Sequence, residues 1–107
     1  MLKFMVVLYR RPDLTQAQFR QHLEHIHAPL ARKLPGLKRY RQNHVVADPS
    51  RPHPEWDAIV ELYFDSWESM EAAWASPQGA ASDADLPLFA DMTRTTWSVV
   101  EEISLLP

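Results

Sequence analysis

Apolar residues crowd both faces of the first stretch of the chain. Leu2, Phe4, Val6 and Leu8 share one face of a strand over residues 2–10, and Lys3, Met5, Val7 and Tyr9 share the other. That is the pattern of a strand covered on two sides, and Arg11-Pro12-Asp13 ends it. The period then becomes helical. Thr15 reads as an N-cap, Gln18 completes a capping box, and Phe19, Leu23, Ile26 and Leu30 form a narrow apolar stripe. The spacing predicts a helix to about Lys33, stopped by Leu34-Pro35-Gly36. Pro29 has no N–H for the His25 carbonyl, so a kink or loosened turn is predicted near residues 25–29.

The pattern returns to alternation over residues 37–47, where Tyr40, Gln42, His44 and Val46 share a face. A proline-rich loop over Asp48–Pro54 leads to a third strand, Trp56–Asp65, with Ile59 and Tyr63 set opposite an apolar face of Trp56, Ala58, Val60, Leu62 and Phe64. Ser66 caps a helix whose buried stripe is Trp67, Met70 and Trp74. Ser76-Pro77 starts a further helical piece to about Asp85, and Leu86-Pro87 ends it. Met92–Ile103 reads as the last strand. The order strand–helix–strand–strand–helix–strand predicts an α+β, ferredoxin-like βαββαβ domain with a four-stranded antiparallel sheet, in one domain over 1–107. Two helices cover one face of such a sheet. The apolar second face of strands 1 and 3 therefore predicts a second copy packed against it, a homodimeric α+β barrel enclosing a cavity.

Composition narrows the chemistry. The chain has 107 residues, 46% of them hydrophobic, enough for a modest single core. It has no cysteine, which excludes disulfides, thiolate metal sites and a cysteine nucleophile. Its two glycines stand far apart, so Gly-rich phosphate loops are excluded. A net charge of −3 argues against nucleic acid as a partner. No apolar run reaches the ~18 residues of a membrane span. Met1-Leu2-Lys3-Phe4 does not open a secretory signal, so a cytoplasmic protein is expected.

Among chemistry-bearing residues, His27 lies about 80° from Phe19 on a helical wheel, at the edge of the buried stripe. Its imidazole suits a base near neutral pH; the other reading is a histidine hydrogen-bonded to backbone at a broken helix. Tyr40 offers a phenol donor on strand 2, and His44 lies about 14 Å further along the same strand face. Tyr9 and Trp97 complete the expected lining of a pocket for a small apolar ligand, and Trp67 and Trp74 are expected in the core. His22, His25 and His27 do not make a metal site, because His22 and His27 stand about 140° apart on an α-helical wheel. Asp83/Asp85 and Glu101/Glu102 read as solvated surface.

Certain residues carry a family likeness. Tyr9-Arg10-Arg11-Pro12-Asp13, Phe19, His27-Ala28-Pro29-Leu30, Leu34-Pro35-Gly36-Leu37 with Tyr40, Ser76-Pro77-Gln78-Gly79 and Asp85-Leu86-Pro87 resemble the EthD-type proteins of the dimeric α+β barrel superfamily. Relatives in that superfamily include methylmuconolactone isomerases, anthraquinone-type dehydratases and monooxygenases of polyketide biosynthesis, all small cofactor-free enzymes. In the isomerase-like relatives the resemblance implicates a histidine eight residues before the Pro of Pro-Gly and a tyrosine five after it. Those positions are His27 and Tyr40 here, although Ala28-Pro29 departs from the isomerase pattern. The resemblance thus implies proton transfer on an apolar carbonyl, lactone or aromatic metabolite without a cofactor. A non-catalytic binding or accessory protein of a catabolic pathway, or a cofactor-free monooxygenase, is the alternative.

Overall fold

Alternation becomes β1 (Leu2–Leu8), which pairs antiparallel with β3 (Ala58–Phe64) on one side and β4 (Thr96–Glu101) on the other. In the computed structural model, which describes residues 1–107, β2 (Arg39–His44) joins the outer edge of β3 and gives the sheet order β2-β3-β1-β4. This is the expected α+β, ferredoxin-like arrangement. The register Phe4↔Leu62↔Tyr40 and Val6↔Val60↔Gln42 puts the alternating apolar residues on one face. That face packs against the helices α1 (Gln16–His22), α2 (Ala28–Ala31), α3 (Trp67–Ala75) and α4 (Pro77–Asp85). Phe19, Phe64 and Phe89 are fully buried in this layer; side chains of this kind contribute about 1.5–3 kcal/mol each on burial.

The caps read from the sequence form. Thr15 Oγ1 accepts from the Gln18 N–H and Gln18 Oε1 from the Thr15 N–H. Ser66 and Ser76 cap α3 and α4. Gly36 takes φ +77°, a conformation that costs a side-chain-bearing residue about 1–2 kcal/mol, and turns the chain toward β2.

Two elements differ from expectation. The single helix predicted through Lys33 is α1, then a π-helical turn over Leu23–His27, then α2. Pro29 lacks the N–H that would meet the His25 carbonyl, and the chain answers by widening the preceding turn, with the Ala28 N–H donating to the Leu23 carbonyl five residues back. The last strand starts at Thr96, not Met92, because Asp91 folds the segment before it into a turn. The Asp91 carboxylate accepts from the Thr93 N–H and hydroxyl, and its carbonyl from the Arg94 and Thr95 N–H groups. No helix is long and apolar enough to cross a membrane.

Candidate functional site

The π turn decides where the histidines go. With i→i+5 bonding, residues five apart lie on one side of the helix, so His22 and His27 both face α4. There Asp85 Oδ2 accepts from His27 Nδ1 at 2.8 Å, and both Asp85 oxygens lie 3.0 Å from His22 Nε2. The Phe89 ring stacks on His22 with centroids 4.5 Å apart and tilts against His27 at 5.2 Å. Two sequence expectations are corrected by this cluster. The 140° separation of His22 and His27 assumed an unbroken α-helix, and Asp85 is buried, not solvated. Burial also sets the chemistry of His27, which is 7% exposed. Desolvation lowers its pKa below the ordinary 6.5, with Asp85 working in the opposite sense. With Nδ1–H donated to Asp85, the neutral ring keeps its lone pair on Nε2.

Tyr40 is reached from the same turn by another route. Gln42 Nε2 donates to the Leu23 carbonyl at 2.9 Å and to the Tyr40 hydroxyl at 2.7 Å, while Gln42 Oε1 lies 2.9 Å from His44 Nε2. Gln42 therefore ties Tyr40 and His44 to the π turn. Its position between them on one strand face was visible in the sequence, but nothing there showed that the amide would bridge them. Accepting from Gln42 leaves the Tyr40 O–H free to donate, and burial raises its pKa, which keeps it protonated. Burial and then Arg20 lower the pKa of His44, whose buried Nδ1 has no partner.

The main apolar cavity, about 660 Å³, opens elsewhere in the same layer, between β1 and β4 below and α3 and α4 above. Phe4 and Val6 form its floor, and Trp74 and Trp97 flank Phe4 with ring centroids 5.0 Å away on each side. Trp67, expected in the core, is instead exposed at the cavity wall. Polar lining is limited to Glu71, Asp83 and Thr95. Asp83 stands at the rim, where desolvation holds its carboxyl above the ordinary carboxylate value. On α4, Asp83 therefore meets the cavity and Asp85 meets the histidines.

Of the sequence candidates, Trp97 lines this cavity. Tyr9 stands behind it: its ring lies under the Arg94 guanidinium at 4.2 Å and its N–H donates to the lining Thr95 hydroxyl. Tyr40 is two strands from Phe4, roughly 10 Å at about 4.8 Å per strand step. His44 borders a smaller hollow with Trp56 at the far end of β2. The structure thus links His27 and Tyr40 through the π turn and not across the cavity.

The EthD domain family matches residues 11–93. An uncharacterized 11.0 kDa protein in the thcB–thcC intergenic region of Rhodococcus erythropolis is 30% identical over 103 residues, covering 96% of this chain and 97% of that protein. The crystal structure of an ethyl tert-butyl ether D (EthD) family protein from Bacillus halodurans C-125 is 33% identical with a TM-score of 0.78, covering 96% of this chain and all of that one. At the level of fold alone, the chain is similar to a dimeric ferredoxin-like protein of unknown function from Bacteroides fragilis (13% identity, TM-score 0.70, 94% and 95% coverage). It is likewise similar to SnoaB, a cofactor-independent oxygenase from Streptomyces nogalater (13%, 0.67, 99% and 96%).

Proposed function

The chain belongs to the EthD domain family, and on that premise we propose that it is a small homodimeric enzyme moving a proton on a planar apolar carbonyl, lactone or aromatic compound without a resident cofactor. The observation that carries the reading is the buried His27–Asp85 pair, a neutral imidazole oriented by a carboxylate with its Nε2 lone pair unused. The cavity between the sheet and α3 and α4, bordered on α4 by Asp83, supplies an aromatic-walled place for such a compound. In this mechanism the compound extends from the cavity toward the π turn, since neither His27 nor Tyr40 lines the cavity itself. His27 Nε2 takes a proton from the carbon next to the carbonyl, and the Tyr40 hydroxyl, tied to the same turn through Gln42, donates a hydrogen bond to the oxygen as enolate charge develops. His27 then returns the proton at a second carbon, for isomerisation, or to a departing hydroxyl, for dehydration. Asp85 acts as a positioning residue through His27.

A panel of apolar carbonyl and lactone compounds tests this with the wild type, His27→Ala and Tyr40→Phe. Loss of a general base lowers turnover about 10²–10⁴-fold, and loss of an oxyanion donor about 10²–10³-fold. Unchanged turnover in both variants overturns the mechanism. A second reading, a carrier or accessory protein of a catabolic pathway, is favoured by the roughly two-strand gap between Tyr40 and the cavity floor. It predicts ligand capture without turnover and no effect of His27→Ala on binding.

A further inference from the structure

We propose that the cavity takes planar aromatic ligands whose polar group is a hydrogen-bond donor, a phenol or an amine, and rejects carboxylates, with Asp83 making the selection. The inference rests on the reading of the cavity as the ligand site and adds the substrate class. Three observations support it. The walls offer indole and phenyl faces: Phe4 is already stacked on Trp97 at 27° between ring planes and tilted against Trp74, so the cavity continues an existing aromatic array. The volume is that of sites for molecules of several rings. The ionisable side chains in the lining are Glu71 and Asp83; no lysine, arginine or histidine lines the cavity, and His27 acts on Asp83 only from outside the lining. A carboxylate ligand would give up water against apolar walls, meet two like charges and find no basic side chain in the lining, all of which disfavours it.

A donor reverses each of these terms. Asp83 lies exposed at the cavity rim, beside the indoles of Trp74 and Trp97 in the lining, with partial desolvation raising its pKa. An O–H or N–H delivered by a ligand seated in the cavity would give its oxygens a donor in place of the water it displaces. An ammonium would gain, in addition, from the indole faces of Trp74 and Trp97. The shared chemistry is the donor; its charge is what the experiment separates.

Dissociation constants from ligand-observed NMR at pH 7.5 for naphthalene, 2-naphthol, 2-naphthylmethylammonium and 2-naphthoate test the proposal. The wild type is expected to bind 2-naphthol or the ammonium at least tenfold more tightly than 2-naphthoate. Asp83→Asn, which offers both a donor and an acceptor without charge, is expected to narrow that ratio to about threefold, chiefly by gaining affinity for 2-naphthoate. Tighter binding of the ammonium than of 2-naphthol assigns the preference to charge, and the reverse order to the neutral donor. Equal or tighter binding of 2-naphthoate by the wild type, or a ratio unmoved in Asp83→Asn, overturns the selection while leaving the cavity as a ligand site. Failure of all four probes, naphthalene included, overturns the cavity reading and this inference with it.

Discussion

His27 is neutral in the folded protein because removing its imidazole from water penalises the charged form more than Asp85 favours it. The sign of the resulting pH dependence follows from linkage. Above the ordinary value of 6.5 the ring is neutral in both folded and unfolded chains and contributes no slope. As pH falls below 6.5, the unfolded chain takes up the proton first, so stability declines until the lower folded value is reached and is level beyond it. His27→Gln removes that decline. Urea unfolding of both proteins between pH 7.5 and 5 is expected to show wild-type stability falling relative to the variant as pH drops; parallel curves would show that burial does not depress this histidine. His27 itself was legible in the sequence as a residue at the edge of a buried stripe. Its partner was not. Asp85 sits two residues from Asp83 on a short helix that looked solvated, and the α-helical wheel turned His22 away from His27. The residue that changes the wheel is Pro29: its missing N–H predicts a kink or a loosened turn near residues 25–29, and the chain takes the loosened form, a π turn over Leu23–His27 that brings His22 and His27 to one side.

Elements that follow from local rules were the legible part of the fold: alternation for β1 and β3, capping boxes for α1, and Ser-Pro for the start of α4. Elements shaped by a competing local bond were not. The Met92–Thr95 segment has strand-like composition, yet Asp91 captures Thr93 and holds the chain in a turn, so β4 begins four residues late. Helix packing holds a further constraint that pattern reading does not reach. Gly79 lies in the first turn of α4 against the end of α3, and a Cβ there would stand 2.4 Å from the Ala73 carbonyl oxygen and 2.6 Å from that of Trp74. Glycine to alanine inside a helix ordinarily gains about 1 kcal/mol. Here the added methyl meets backbone that cannot rotate away, so α3 and α4 must separate. Gly79→Ala is expected to destabilise the protein by about 1–3 kcal/mol, the cost of overpacking, read as a lower urea midpoint with an unchanged slope. A neutral or stabilising result would mean that the two helices are not held at this distance. Because α3 and α4 are also the roof of the cavity, the same variant should weaken probe binding beyond what its lost stability explains.

At the scale of the whole molecule, the face of the sheet away from the helices carries Met5, Val7, Ile59 and Val100, none of them fully covered within one chain. Lys3 on that face is already matched: its Nζ lies 2.7 Å from both Glu102 and Glu61, whose hydrogen bonds raise its pKa, and Tyr63 O–H donates to Glu102. Arg39 and Arg41 share the face at its β2 edge, exposed and 5.7 and 5.9 Å from the centre of the Tyr63 ring. A second sheet can therefore cover the apolar residues of β1 without leaving Lys3 unpaired, and the ferredoxin-like proteins solved from Bacteroides fragilis and Thermobifida fusca are described as dimeric. The two-sided apolar pattern of β1 already pointed to such a partner; the cavity itself lies on the opposite side, between the sheet and the helices, and forms out of one chain alone. That separation yields a prediction with two readouts. Light scattering should give the wild type twice its chain mass of 12.4 kDa. Val7→Arg, which sets a charge at the centre of the apolar strip beside Ile59 and Thr96, should give the single-chain mass. Affinity of the monomeric variant for 2-naphthol should stay within about threefold, since no lining residue comes from the free face. A wild-type monomer at micromolar concentration would refute the dimer. A monomeric Val7→Arg that loses the probe would show instead that the cavity depends on the partner, placing the ligand site under control of assembly.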